Sequence, residues 1–142
     1  MTDNLVPYLA PLIFVGGLLH FGTLTAGVLL PRVLHWRTSL QKLDTLSREV
    51  IWVHHFFLGI VIVSFGAMSV LFAGTLADGA ALARALCLVI ALFWAGRLLV
   101  QFFVFDARPH LKTALLKAGY NGLTVVFTYQ AVVYGLAALL PR

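Results

Sequence analysis

Four stretches of this chain are each long and apolar enough to cross a bilayer, and together they take up most of its 142 residues. A spanning helix needs about 20 predominantly apolar residues. The stretches cover about residues 6–31, 50–77, 82–105 and 120–140, with longer connections at about 32–49 and 106–119. The first carries no charge, and the third contains Arg97. Backbone polar groups in lipid must be satisfied internally, so each stretch is expected to be a helix. The run VIVSFGAMSVLFAG lacks the strict alternation of a transmembrane barrel strand. The expected fold class is therefore all-α integral membrane. Its architecture is a four-transmembrane-helix, antiparallel up-down bundle, with residues 1–142 forming one transmembrane domain.

Composition excludes the soluble alternatives. The chain is 61% hydrophobic and 11% charged, whereas soluble domains run roughly 45–50% apolar and about 25% charged. That sets aside a soluble enzyme, a nucleic-acid-binding module and a disordered tail. The net charge of +5 follows from membrane orientation. Arg32, Arg37, Lys42 and Arg48 lie in the first connection, and Arg108, Lys112 and Lys117 in the third. Only Arg84 and Arg142 lie on the opposite side. The positive-inside rule then puts both longer connections in the cytoplasm. The expected location is a bacterial-type inner membrane, multi-pass, with both termini periplasmic. MTDNLVPY has no basic n-region and no small-residue cleavage site follows, so the first run reads as a retained helix. Cys87 is the single cysteine, set in an apolar run, and reads as a small buried residue.

The connections carry their own signals. Thr38 followed by Gln41 fits a capping box. Leu40, Leu43, Leu46 and Val50 then recur at helical spacing, which predicts an extension of the second span or an amphipathic surface helix. Asp78-Gly79 predicts a turn, with Asp78 capping the third span and the second and third spans forming a hairpin. After Pro109, the segment HLKTALLK predicts a short helix ending near Gly119. The basic connections would also attract anionic headgroups, so membrane lipid is an expected partner.

Polar groups inside the spans are the functional candidates. Gly16, His20, Thr23 and Gly27 share a face of the first helix, and small residues permit close helix approach, so His20 is expected to point inward. His55 lies on a small-residue face with Gly59, Ile62, Gly66, Ser69 and Ala73. His54 lies on the bulky stripe of Leu58, Val61, Phe65 and Met68. Arg97 and Gln101 sit one turn apart, just after Trp94. Tyr120, Thr124 and Thr128 form a mixed stripe on the fourth helix. At a rise of about 1.5 Å per residue, these groups gather in the cytoplasmic half, with Gln130 and Tyr134 the partial exceptions in a mostly apolar outer half. All five acids, Asp3, Asp44, Glu49, Asp78 and Asp106, lie at span ends or in connections. A guanidinium at the depth of Arg97 needs a counter-group. It either snorkels and is satisfied internally or meets an anion from outside the chain, such as a haem propionate, a lipid phosphate or a fatty carboxylate.

Three classes of function remain open on these residues. In a redox or cofactor protein, His20 and His55 would be metal ligands to haem iron. Arg97 and Gln101 would then face the anionic edge, and Trp94 and Tyr120 would pack the ring; a quinone-linked site is the related form. A related option within that class, a histidine-rich metal enzyme, would use His54-His55, with Asp106 to His110 at the membrane edge. A transporter or proton channel would use titratable His20 and His55 in an oligomer. An accessory or structural subunit would use the same polar groups to join helices. A homo-oligomer or a subunit of a complex is expected in each case, and nucleic acid is not a partner.

The stretch LLHFGTLTAGVLLPRVLHW, residues 18–36, resembles the first helix of the small four-helix protoporphyrinogen oxidases. Those enzymes have an early membrane histidine and a leucine-proline-arginine step, here His20 and Leu30-Pro31-Arg32. Ala95-Gly96-Arg97-Leu98 has a similar character. The resemblance implies a haem-linked oxidoreductase with His20 and Arg97 near the cofactor.

Overall fold

The computed structural model describes residues 5–104 and 112–140. It contains four long apolar helices and three short helical pieces, and no strand among the described residues. The long helices are α1 (Val6–Val33), α3 (Thr45–Leu71), α5 (Ala81–Phe103) and α6 (Ala114–Leu139), each long and apolar enough to cross a membrane. Between α1 and α3 lie α2 (Trp36–Ser39) and a 3-10 turn (Leu40–Lys42), and α4 (Ala73–Ala77) follows α3. The fold is a four-helix bundle of multi-pass membrane type.

Side-chain contacts fix the directions. Gly17 meets Ser69 and Val70, Gly66 meets His20, and Gly59 meets Leu24, so α1 and α3 run antiparallel. Arg84 reaches Ala138, Trp94 stacks on Phe127 and Gln101 meets Thr124, so α5 and α6 also run antiparallel. The tight pairs are α1–α3 and α5–α6, with α1 also packed on α6. The hairpin expected between the second and third spans is not a tight one. The α3 and α5 backbones are not closely packed, and Phe65 and Phe93 bridge them, with ring centroids 5.4 Å apart. The bulk of those rings holds the two helices apart.

Glycines set the spacing within the α1–α3 pair. A Cβ on Gly17 would stand 2.8 Å from Val70 Cγ2 and 2.9 Å from the Val70 backbone nitrogen. One on Gly66 would stand 3.0 Å from His20 Cβ. These are the small-residue contacts that let spanning helices approach. The opposite is true of Gly27, where an added Cβ meets nothing within 4 Å, so the small face of α1 ends before that residue.

The helix boundaries correct several expectations. The Thr38–Gln41 capping box does not form; the N-cap is Asp44, whose carboxylate accepts from Ser47 N at 3.0 Å and Ser47 Oγ at 2.6 Å. A carboxylate accepting two such bonds is a stronger cap than a threonine hydroxyl. Those bonds hold the Asp44 carboxyl below the usual aspartate range. The second span is interrupted at Phe72, which leaves helical geometry between α3 and α4. Asp78 is not the N-cap of α5, which is Ala80; its Oδ1 accepts from Ala80 N at 2.7 Å across the turn that Gly79 makes at φ 83°. No helix ends near Gly119, because Thr113 caps α6 and the helix runs on through that glycine. Asp106, Arg108, Pro109 and His110 lie outside the described residues.

Candidate functional site

His20 sits near the middle of α1 and is completely buried. Its ring meets one aromatic ring from each of the other long helices. The centroids lie 6.1 Å from Phe65 on α3, 5.4 Å from Trp94 on α5 and 5.8 Å from Tyr134 on α6. Both ring nitrogens are engaged. Trp94 Nε1 lies 3.0 Å from His20 Nε2, and an indole N–H can only donate, so Nε2 carries the lone pair. His20 Nδ1 therefore carries the proton and donates to Gly16 O at 2.7 Å. The result is a neutral imidazole in one tautomer, joining α1 to α5.

Trp94 continues the cluster. Its ring stacks on Phe127 at 4.9 Å, with 22° between the planes. The Arg97 guanidinium carbon lies 5.2 Å from the centroid of the same Phe127 ring, a cation–π contact within the effective range of about 6 Å. Arg97 is half-buried, and the Tyr120 phenol lies within electrostatic reach of it. Gln101, one turn on, is buried; its Nε2 donates to Thr124 Oγ1, and that hydroxyl donates to Tyr120 O. Arg97 stands six residues before the end of α5, and Tyr120 six residues after the start of α6, so both lie about 9 Å inside their helices. Trp94, Arg97, Gln101 and Tyr120 thus gather on the α5–α6 pair, toward the end that bears the basic connections.

His55 does not join them. Gly66 marks the level of His20 on α3, and His55 precedes it by eleven residues, about 16 Å along the axis. His55 packs instead between Trp36 and Trp52, at 5.3 and 6.3 Å. The pairing of His20 with His55 as two ligands of one metal is therefore not present. The lone pair of His20 that such a ligand would use is already held by Trp94. Among the described residues, no group of three or more His, Cys, Asp or Glu side chains is placed to hold a metal ion.

Two buried polar residues near the opposite end, Tyr134 and Gln130, are the exceptions that the sequence already marks in an otherwise apolar half. Tyr134 is fully buried and donates to Ser69 Oγ at 2.6 Å, tying α6 to α3. Gln130 is also fully buried, with no hydrogen bond to its amide oxygen or nitrogen among the described residues. Local spacing does not encode the bond from Tyr134 to Ser69, which joins residues 65 apart. Thr23, Thr25, Ser64 and Thr128 need no interhelical partner, since each hydroxyl donates to the carbonyl four residues earlier.

A shallow, almost wholly apolar groove of about 400 Å³ runs along α6, lined by Thr124, Val125, Thr128, Tyr129, Val132 and Val133. Thr124 belongs both to this groove and to the Gln101 bond. No family model, no curated protein and no solved structure matches the chain.

Proposed function

We propose that this multi-pass membrane protein binds an amphipathic anion, with the anionic head at Arg97 and the apolar body along the α6 groove. The observation that carries the reading is the Arg97 guanidinium, half-buried inside an apolar helix and set over the Phe127 ring. A guanidinium presents its donors in a fixed fork that matches a carboxylate or phosphate, and weak surrounding polarity strengthens that contact. The Gln101–Thr124–Tyr120 chain supplies further hydrogen-bonding groups at the same level. From Thr124 the groove offers an apolar bed of the kind a fatty chain or isoprenoid occupies. A haem reading gains no support from His20, whose two nitrogens are both occupied.

Trp94 reports on this site because it stacks on Phe127. With Trp36 and Trp52 replaced by Phe, titration with a dibrominated stearate is expected to quench Trp94 saturably. Arg97→Gln should abolish the saturable component, and Arg97→Lys should keep part of it. Quenching that is linear and identical in Arg97→Gln would refute the proposal.

We also place the basic end of the bundle in the cytoplasm, on the asymmetry of Lys and Arg between its two ends. In a Cys87→Ala background, a cysteine at Gly79 should react with an impermeant maleimide added outside cells, and one at Lys42 should not. The reverse pattern would invert the assignment.

A further inference from the structure

The α1–α3 connection builds a second arrangement that the Arg97 site does not use. His35 adopts a left-handed backbone, φ 50° and ψ 44°, at the junction of α1 and α2. Such a conformation is uncommon outside glycine, and histidine is among the residues that tolerate it. The turn folds α2 back so that Trp36 lies edge-on to Trp52 at 5.7 Å and to His55 at 5.3 Å. Trp36, Val50, Ile51, His54, His55 and Leu58 then line a groove of about 410 Å³ between α2 and α3. The walls are nearly all apolar, and the chain around them is basic in sequence. Arg37 is carried on α2 itself, next to Trp36, Arg32 lies in the last turn of α1, Lys42 ends the 3-10 turn and Arg48 lies in the first turn of α3.

We propose that this groove is a binding site for an anionic phospholipid, with its headgroup phosphate among the basic side chains and its upper acyl chain against Trp36 and Trp52. Three observations converge on that occupant. Paired tryptophans favour the headgroup level, where one edge is wet and the other apolar. Arg32, Arg37, Lys42 and Arg48 outnumber Asp44 and Glu49 in the connection, so the charge complements a phosphate. The Asp44 carboxylate is turned into the α3 cap by Ser47, which reduces its opposition to an anion nearby. The groove belongs to the α1–α3 pair, whereas the Arg97 site belongs to α5–α6, so the two bind independently.

The test is native mass spectrometry of the full chain released from nanodiscs of equal phosphatidylglycerol and phosphatidylcholine. The wild type should retain phosphatidylglycerol in preference to phosphatidylcholine. Arg37→Gln and Arg32→Gln should each lower that preference, by about fivefold per cation removed, and Arg37→Lys should preserve it. Trp36→Ala should reduce retention of both lipids while leaving their ratio unchanged. Arg37→Gln should lower the preference by the same factor in the wild type and in an Arg97→Gln background, which separates this proposal from the one above. Equal retention of the two lipids by the wild type would overturn it. So would an unchanged ratio in both Arg32→Gln and Arg37→Gln.

Discussion

Trp94→Phe is the substitution whose cost the structure defines most closely. It keeps a ring to stack on Phe127 but removes the N–H that donates to His20 Nε2 at 3.0 Å. His20 is completely buried, so that nitrogen is left without a partner or access to water. An orphaned buried acceptor costs about 1–3 kcal/mol, and the lost indole volume adds a cavity contribution. The combined destabilisation is about 2–4 kcal/mol. The hydrogen bond itself contributes less, since interhelical bonds in membrane proteins average about 0.6 and reach about 1.7 kcal/mol. A double-mutant cycle with His20→Phe isolates that part, and its coupling energy should fall between those two figures. Cys87 supplies the assay, because it is the single cysteine and is completely buried. Its reaction with a fluorogenic maleimide during heating or denaturant titration in detergent reports loss of the fold. If the two single substitutions add within about 0.3–0.5 kcal/mol, His20 and Trp94 are not bonded and the tautomer argument fails.

Other consequences are equally direct. Gly17→Ala should destabilise the bundle by about 1–3 kcal/mol, because the new Cβ meets Val70 Cγ2 and the Val70 backbone nitrogen within 3 Å. Gly22→Ala, where a Cβ meets nothing within 4 Å, should be neutral or slightly stabilising in the same Cys87 assay. The Asp44 cap should respond to pH. Its carboxyl is held below the ordinary value of 3.8 by the Ser47 hydroxyl and amide, so its contribution is present above that value and is lost as pH falls through the lowered one. The Ser47 amide resonance should titrate below pH 3.8 in the wild type and not in Asp44→Asn, and a midpoint at or above 3.8 would contradict the bonds described.

The large features of the fold were legible because lipid leaves few alternatives to an apolar helix. The four spans emerged from length and apolarity alone. The inward orientation of His20 followed from its small-residue face, and Gly66 and Ser69 were placed on the buried face of α3 by the same reasoning. What the sequence did not disclose was decided between helices. The bond from Trp94 to His20 joins residues 74 apart, and no local spacing encodes it. Depth estimates carried an error of several residues because helix ends were uncertain. Thr38 and Gln41 matched a capping box, yet Asp44 took that role with a better acceptor. His20 and His55 were separated in depth already by helical rise, and their levels on α1 and α3 lie about 16 Å apart. Helical spacing alone puts Trp94, Arg97 and Gln101 within two turns of one helix, and that placement was legible.

The central claim is that Arg97 receives the head of an amphipathic anion. The most direct measurement is mass spectrometry of the organic extract from protein purified in mild detergent, compared across the wild type, Arg97→Lys and Arg97→Gln. The account predicts one equivalent of a carboxylate- or phosphate-bearing lipid in the wild type beyond whatever Arg97→Gln retains, and a smaller excess in Arg97→Lys. An equal amount of the same lipid in all three, with Cys87 equally protected, would contradict it.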